Sequence, residues 1–172
     1  MNEKNLNIAT LALGIAFLPP IWAVLAPYAG IQTGAVALIC AALYVTNGNK
    51  VSDAFRITAG FLLGDLWAVL AVFIMDTMDF HPDAELYGTL FVLGGVAVFI
   101  GENLPKIIFT PAWLCGWAIG LTIMGPLPIA DIGTLPIQIG AAMIAGVVYV
   151  GIGVDFFQKK LAGIFKKQEV EK

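Results

Sequence analysis

The sequence predicts an all-α integral membrane protein, with six transmembrane helices arranged as three repeated two-helix hairpins around a pseudo-threefold axis. Three observations lead there. Hydrophobic residues make up 59% of the 172 positions and charged ones only 12%, for a mean hydropathy of +0.89. A soluble domain of this length has too little interior to hide that much apolar surface, and large exposed patches are rare on soluble proteins. Uncharged runs cover residues 5–49, 57–64, 66–75, 86–101, 107–130 and 132–154, and a spanning helix needs roughly 20 mostly apolar residues. Finally, short motifs recur at intervals that pair the spans into hairpins.

Taken in order, the spans fall at 6–26, 29–46, 54–75, 84–101, 106–125 and 134–157. Turn chemistry separates them: Pro27-Tyr28-Ala29-Gly30, Asn47-Gly48-Asn49, an acidic segment from Asp76 to Glu85, Gly101-Glu102-Asn103-Leu104-Pro105, and Gly125-Pro126-Leu127-Pro128. The spans lack the strict alternation of barrel strands, and backbone facing lipid must satisfy itself, so helices are expected throughout. Pro19-Pro20 should kink the first span, and Pro111 the fifth. The first span is too long an apolar region for a cleavable signal. The hairpins are 6–46, 54–101 and 106–157, within a bundle covering 1–157. Residues 158–172 form a basic amphipathic tail expected to lie on the anionic inner leaflet.

All nine basic residues lie on one side of such a bundle. They are Lys4, Lys50, Arg56, Lys106, and, in the tail, Lys159, Lys160, Lys166, Lys167 and Lys172. The opposite loops carry Asp76, Asp79, Asp83, Glu85 and Asp131 with no Lys or Arg. The positive-inside rule then puts both termini in the cytoplasm of a bacterial inner membrane.

The pentapeptide Trp22-Ala23-Val24-Leu25-Ala26 of span one recurs as Trp67-Ala68-Val69-Leu70-Ala71 in span three, with a weaker copy at Trp117-Ala118-Ile119-Gly120-Leu121 in span five. Ile31-Gln32-Thr33-Gly34-Ala35 opens span two and Ile137-Gln138-Ile139-Gly140-Ala141 opens span six, with Tyr87-Gly88-Thr89 in the matching place of span four. Internal repeats are a common construction in transporters, and three equivalent hairpins would enclose a central path. Gly60 with Gly64 and Gly116 with Gly120 have the small-xxx-small spacing that lets helix backbones approach; such faces also suit a homo-oligomer.

Two family likenesses follow. Gly14-Ile15 followed by Ile21 to Ala26, then ITAGFLLGDLWAVLAVFI at 57–74 and LPKIIFTPAWLCGWAIG at 104–120, resemble the small bacterial inner-membrane family catalogued as domain of unknown function number 1097, which lends no activity. The hairpin plan is similar to that of the amide and urea channels, which implies a hexamer whose protomers each hold a pore narrowed by aromatic side chains. Acid gating in those channels uses several periplasmic histidines, whereas this chain has one, His81.

Asp65 is the one ionisable residue deep in a span, and intramembrane carboxylates face a cavity, find a partner or stay protonated. With no basic group at that depth, it reads as a packing residue, a pore-lining contact or a proton carrier. Trp22, Trp67 and Trp117 could form an aromatic constriction with indole N–H donors, with Trp113 able to replace Trp117; the plain alternative is packing between helices or anchoring near the interface. His81 sits in an acidic outer loop as a possible gate or simply a solvated side chain. Cys40 and Cys115 read as packing residues. No metal or cofactor motif, nucleic-acid patch or catalytic constellation is expected. The leading functional expectation is a passive channel for a small neutral polar solute such as urea or an amide. The alternatives are a proton-coupled transporter using Asp65 and a non-transporting assembly subunit.

The orientation is open to direct test. Cysteines placed in the 76–85 loop should react with an impermeant thiol reagent applied to intact cells, and cysteines at 50–52 should not. The reverse labelling pattern overturns the orientation.

Overall fold

The computed structural model describes residues 3–170, with side chains described from 4 to 165. The helices are α1 (Glu3–Leu25), α2 (Val36–Thr46), α3 (Ala54–Thr77), α4 (Pro82–Asn103), α5 (Thr110–Met124), α6 (Leu135–Ala145) and α7 (Gly153–Val170). A π-helical segment, Gly146–Ile152, fuses α6 to α7, and 3-10 turns occupy Ala26–Ala29, Val51–Asp53 and Ile129–Asp131. Four helical stretches are long and apolar enough to cross a membrane: Lys4–Ala29, Val51–Thr77, Pro82–Asn103 and Leu135–Phe165. At 11 and 15 residues, α2 and α5 are apolar but shorter, so turn segments at their ends have to supply the rest of any crossing.

Local sequence explains the boundaries. Proline in the first turn of a helix loses no hydrogen bond, and α4, α5 and α6 each begin that way, at Pro82, Pro111 and Pro136. Pro111 therefore starts α5 rather than kinking it, a correction to the sequence reading. Pro19 and Pro20 do lie inside α1, which continues through them to Leu25. His81 caps α4, its Nδ1 accepting from the Asp83 N–H at 3.3 Å, and Asp83 and Glu85 sit in the first turn, where negative charge meets the positive end of the helix dipole.

The tightest element of the core is the crossing of α3 and α5. A Cβ built on Gly60 would lie 2.6 Å from the Phe109 carbonyl oxygen and 3.0 Å from the Ala112 Cβ. One on Gly64 would collide with the Trp113 carbonyl, and one on Gly116 with the Phe61 carbonyl. Each helix thus presents glycine to the other's backbone. Contacts advance in the same chain direction along both helices, from Gly60–Phe109 to Gly64–Trp113 to Ala68–Gly120, so the two run parallel.

A second crossing joins α2 to the fused sixth span. Gly146 meets the Ala37 carbonyl and, at 2.7 Å from its built Cβ, the Cys40 Cβ; Gly151 meets the Tyr44 ring at 2.6 Å. Residues five apart would diverge around an α-helix, but the i→i+5 winding of a π segment returns them to one face. The π segment is therefore what turns both glycines toward α2.

Elsewhere α1 packs antiparallel along α7, with Phe17 stacked on Phe157 (centroids 6.1 Å apart) and Gln158 donating to the Asn7 carbonyl at 3.1 Å. α4 covers α3 and α5. The α2–α3 and α4–α5 loops meet where Arg56 pairs with Asp53 (Nε–Oδ1 3.1 Å), reaches the Pro105 carbonyl and lies 5.1 Å over the Phe109 ring. The Asn47 amide also donates to Asp53, at 2.8 Å. At the start of the tail, Lys159 bonds the largely buried Asp155 at 2.7 Å. The Lys166 and Lys167 side chains and Lys172 fall outside the described residues.

The odd-numbered helices are not packed alike. α3 and α5 share the most intimate contact in the molecule, while α1 packs on α7 and the π segment instead of joining them. The expected pseudo-threefold ring of hairpins does not describe this packing, because glycine pairs fix the α3–α5 distance and α1 has no matching pair to bring to it.

The α3–α5 crossing predicts a sharp contrast. Gly64→Ala should lower unfolding free energy by about 1–3 kcal/mol through overpacking. Gly88→Ala on α4, whose built Cβ meets nothing within 4 Å, should leave it unchanged or raise it by up to about 1 kcal/mol through helix propensity. Detergent-titrated unfolding of the two variants measures both.

Candidate functional site

Asp65 is the twelfth of the 24 residues of α3, as far from either helix end as a side chain on that helix can be. Its residue exposure is only 4%. Two neighbouring helices make room for it by omitting side chains. Its Oδ1 lies 3.5 Å from where a Cβ on Gly120 of α5 would be, and its Oδ2 lies 3.7 Å from the same point on Gly140 of α6. Oδ1 has no hydrogen-bond partner among the described residues. The described ion pairs Arg56–Asp53, His81–Asp83 and Lys159–Asp155 do not involve it. An isolated carboxylate charge in such surroundings is costly.

The tryptophans divide between two places. Trp22 donates its indole N–H to the Gly34 carbonyl at 2.9 Å and tilts against Tyr149 with centroids 6.4 Å apart. That puts it between α1, the turn before α2 and the π segment. Trp67 donates to the Leu93 carbonyl of α4 at 3.0 Å and meets Trp113 edge to face, centroids 5.1 Å apart at 87°. Trp117 lays its ring on Gly94 of α4, 3.5 Å from the built Cβ. The Trp113 and Trp117 N–H groups are buried without a described partner. Trp67, Trp113 and Trp117 thus fill the α3–α4–α5 junction, Trp22 stands apart from them, and Asp65 points to the other side of α3, toward α6. The structure does not bring the three repeat tryptophans onto one axis.

His81 lies on the surface, its side chain three-quarters exposed, and serves as the cap of α4 described above. Cavities of 270 to 410 Å³ indent the bundle. Trp22 lines one of them, between α1 and α2, while Asp65, Trp67, Trp113 and Trp117 line none of these five. Among the described residues no group of His, Cys, Asp and Glu could hold a metal ion.

Sequence reading missed the partners of Asp65. Gly120 and Gly140 read as helix-packing glycines, and nothing in their spacing says that they clear space for a carboxyl group. It also missed Thr89, almost fully buried on α4 with its hydroxyl unpartnered, which faces a cavity of about 270 Å³ shared with Ile74 and Leu93.

The aromatic junction makes its own prediction. Trp67→Phe loses a hydrogen bond and much of an edge-to-face pair, so unfolding free energy should fall by about 1–2 kcal/mol. Trp113→Phe gives up no N–H bond and should cost less. Equal losses in detergent-titrated unfolding would mean that the Trp67–Leu93 bond contributes nothing.

No curated protein and no solved structure matches the chain, and the likeness to the amide and urea channels is not confirmed. Residues 12–159 match the model of a family described as "protein of unknown function (DUF1097)". That match spans most of the chain, all seven helices in whole or in part, and the protein belongs to this family.

Proposed function

We propose that this protein is a membrane transporter of a small polar solute in which Asp65 carries an exchangeable proton. The observation that carries this reading is the Asp65 carboxyl itself. It is buried midway along α3 in a space cleared by Gly120 and Gly140, with one oxygen unpartnered among the described residues and the described ion pairs formed by other groups. A group so placed is neutral when enclosed and releases its proton when the surrounding helices part and admit water. Enclosure and exposure on opposite sides of the membrane would couple proton movement to solute movement.

Close α3–α5 packing favours this over the passive channel expected from sequence. Helix backbones touch at Gly64, beside Asp65, so movement of α3 against α5 would change the surroundings of the carboxyl. A neutral solute of urea or amide size fits a site with one carboxyl. In the bacterial inner membrane, the basic loops and both termini would face the cytoplasm.

The test uses purified protein in proteoliposomes, with urea and acetamide as probes. Wild-type vesicles should accumulate probe only when a proton gradient is applied. Asp65→Asn keeps volume and hydrogen bonding but cannot titrate, so accumulation should vanish while exchange at equal concentrations persists. Swelling of wild-type vesicles that is indifferent to the gradient, and is retained within a few-fold by Asp65→Asn, overturns the coupled reading in favour of the channel.

A further inference from the structure

We infer that the bundle is an inverted repeat of two three-helix halves, α1–α2–α3 and α4–α5–α6 with its π and α7 extension, caught with the two halves in different conformations. Helix lengths give the first indication. Each half runs long, short, long: 23, 11 and 24 residues in the first half, and 22 and 15 residues followed by the fused span Leu135–Phe165 in the second. In each half a 3-10 turn ending in aspartate precedes the third helix, Val51–Asp53 before α3 and Ile129–Asp131 before α6.

Packing follows the same exchange. The third helix of each half runs parallel to the short middle helix of the other half and meets it through paired glycines. Gly60 and Gly64 of α3 face α5, and Gly146 and Gly151 of the sixth span face α2. The first helix of each half lies antiparallel on the third helix of the other, α1 on α7 and α4 on α3. α3 and α6 pack on each other, as Leu62 and Asp65 do against Gly140, and this pair maps onto itself, so the relating axis passes between them. In an up–down chain, three helices per half oblige the second half to cross in the opposite sense from the first. The repeat is therefore inverted, the arrangement in which alternating access needs only an exchange of conformations between halves.

One pair of contacts breaks the symmetry. α4 closes on α5, with Trp117 on Gly94 and Gly101 against Thr110. The corresponding α1 and α2 stand apart along a groove formed by two cavities of about 340 and 270 Å³, which share Pro19 and Leu38 and extend from Val154 to Trp22. The other conformation exchanges these arrangements, closing α1 on α2 as α4 leaves α5. Asp65, beside the axis, is then approached from opposite sides in the two states. That last step, and any acid dependence of the exchange, rest on the transport reading; the repeat and the existence of two arrangements do not.

The experiment measures distance instead of flux, so its failure is distinct from a failure of the Asp65 assignment. In full-length protein with Cys40→Ala and Cys115→Ala, spin labels at Leu13→Cys and Ile39→Cys report α1–α2, and labels at Val98→Cys and Leu114→Cys report α4–α5. All four label positions are exposed. Pulsed electron resonance in lipid vesicles should give two distances for each pair, with populations that shift in opposite senses between acidic and neutral buffer. A disulfide between Gly101→Cys and Thr110→Cys, with the α1–α2 labels replaced by unnatural amino-acid probes, should hold α1–α2 at its single long distance until it is reduced. A single α1–α2 distance, the same at both acidities, overturns the proposal; where the disulfide variant fails to assemble, the two label pairs alone decide.

Discussion

The structure depends on backbone touching backbone between α3 and α5. In a bilayer the lipid tails are as apolar as leucine, so burying apolar side chains brings little gain, and helices associate through van der Waals contact and polar bonds. Gly60, Gly64, Gly116 and Gly120 remove the side chains that would hold the two axes apart. Once the crossing forms, the positions of other groups follow. Asp65 is carried into the space beside Gly120, the Trp67 and Trp113 rings are brought edge to face, and α4 is received on the outer face of both helices. The same device recurs on the sixth span, where Gly146 and Gly151 admit α2. Two glycine crossings, each between parallel helices, define the interior.

This arrangement leaves much of the apolar surface facing outward. Phe17, Phe55, Phe91, Phe99 and Phe156 are well exposed, as expected when lipid is the solvent and not water. Polar groups are instead concentrated at helix ends. Arg56, Asp53 and Asn47 tie the α2–α3 loop together and Arg56 reaches the α4–α5 loop, while Lys159 and Asp155 pair across the first two turns of α7. Asp65 lies away from those ends, and its surroundings of glycine in place of hydrogen-bonding side chains set it apart from a structural polar network, in which every member has a partner.

Much of the fold was legible because composition and charge-free runs report directly on the bilayer. Positions of the helices, the packing role of the glycines and the burial of Asp65 all followed from that constraint. The plan of the bundle did not, for a physical reason visible in the recurring Trp-Ala-Val-Leu-Ala. Trp22 and Trp67 perform the same local task, each donating its N–H to a neighbouring backbone carbonyl, at Gly34 and Leu93. A shared local bond needs only a tryptophan near a free lone pair and says nothing about which helices are neighbours. Trp117, the weaker copy, lacks even that bond. Register between helices is instead set by glycine pairs, whose spacing in the sequence identifies a contact face without naming its partner. The shortness of α2 was hidden as well, since Ile31 to Ala35 belongs to the same uncharged run as the helix, but Gln32 to Ala35 are wound as turns.

The π segment between α6 and α7 holds one residue more per turn than the helices it joins. A helix carrying such a surplus can return it only by twisting, and a single residue in α-helical winding corresponds to a rotation of roughly 100°. Rewinding Gly146–Ile152 would therefore turn α7 about its own axis while α6 stayed fixed, withdrawing Gly151 from Tyr44 and swinging Phe157 away from Phe17. Such a turn would part the sixth span from α2 and from the first helix of the chain at once.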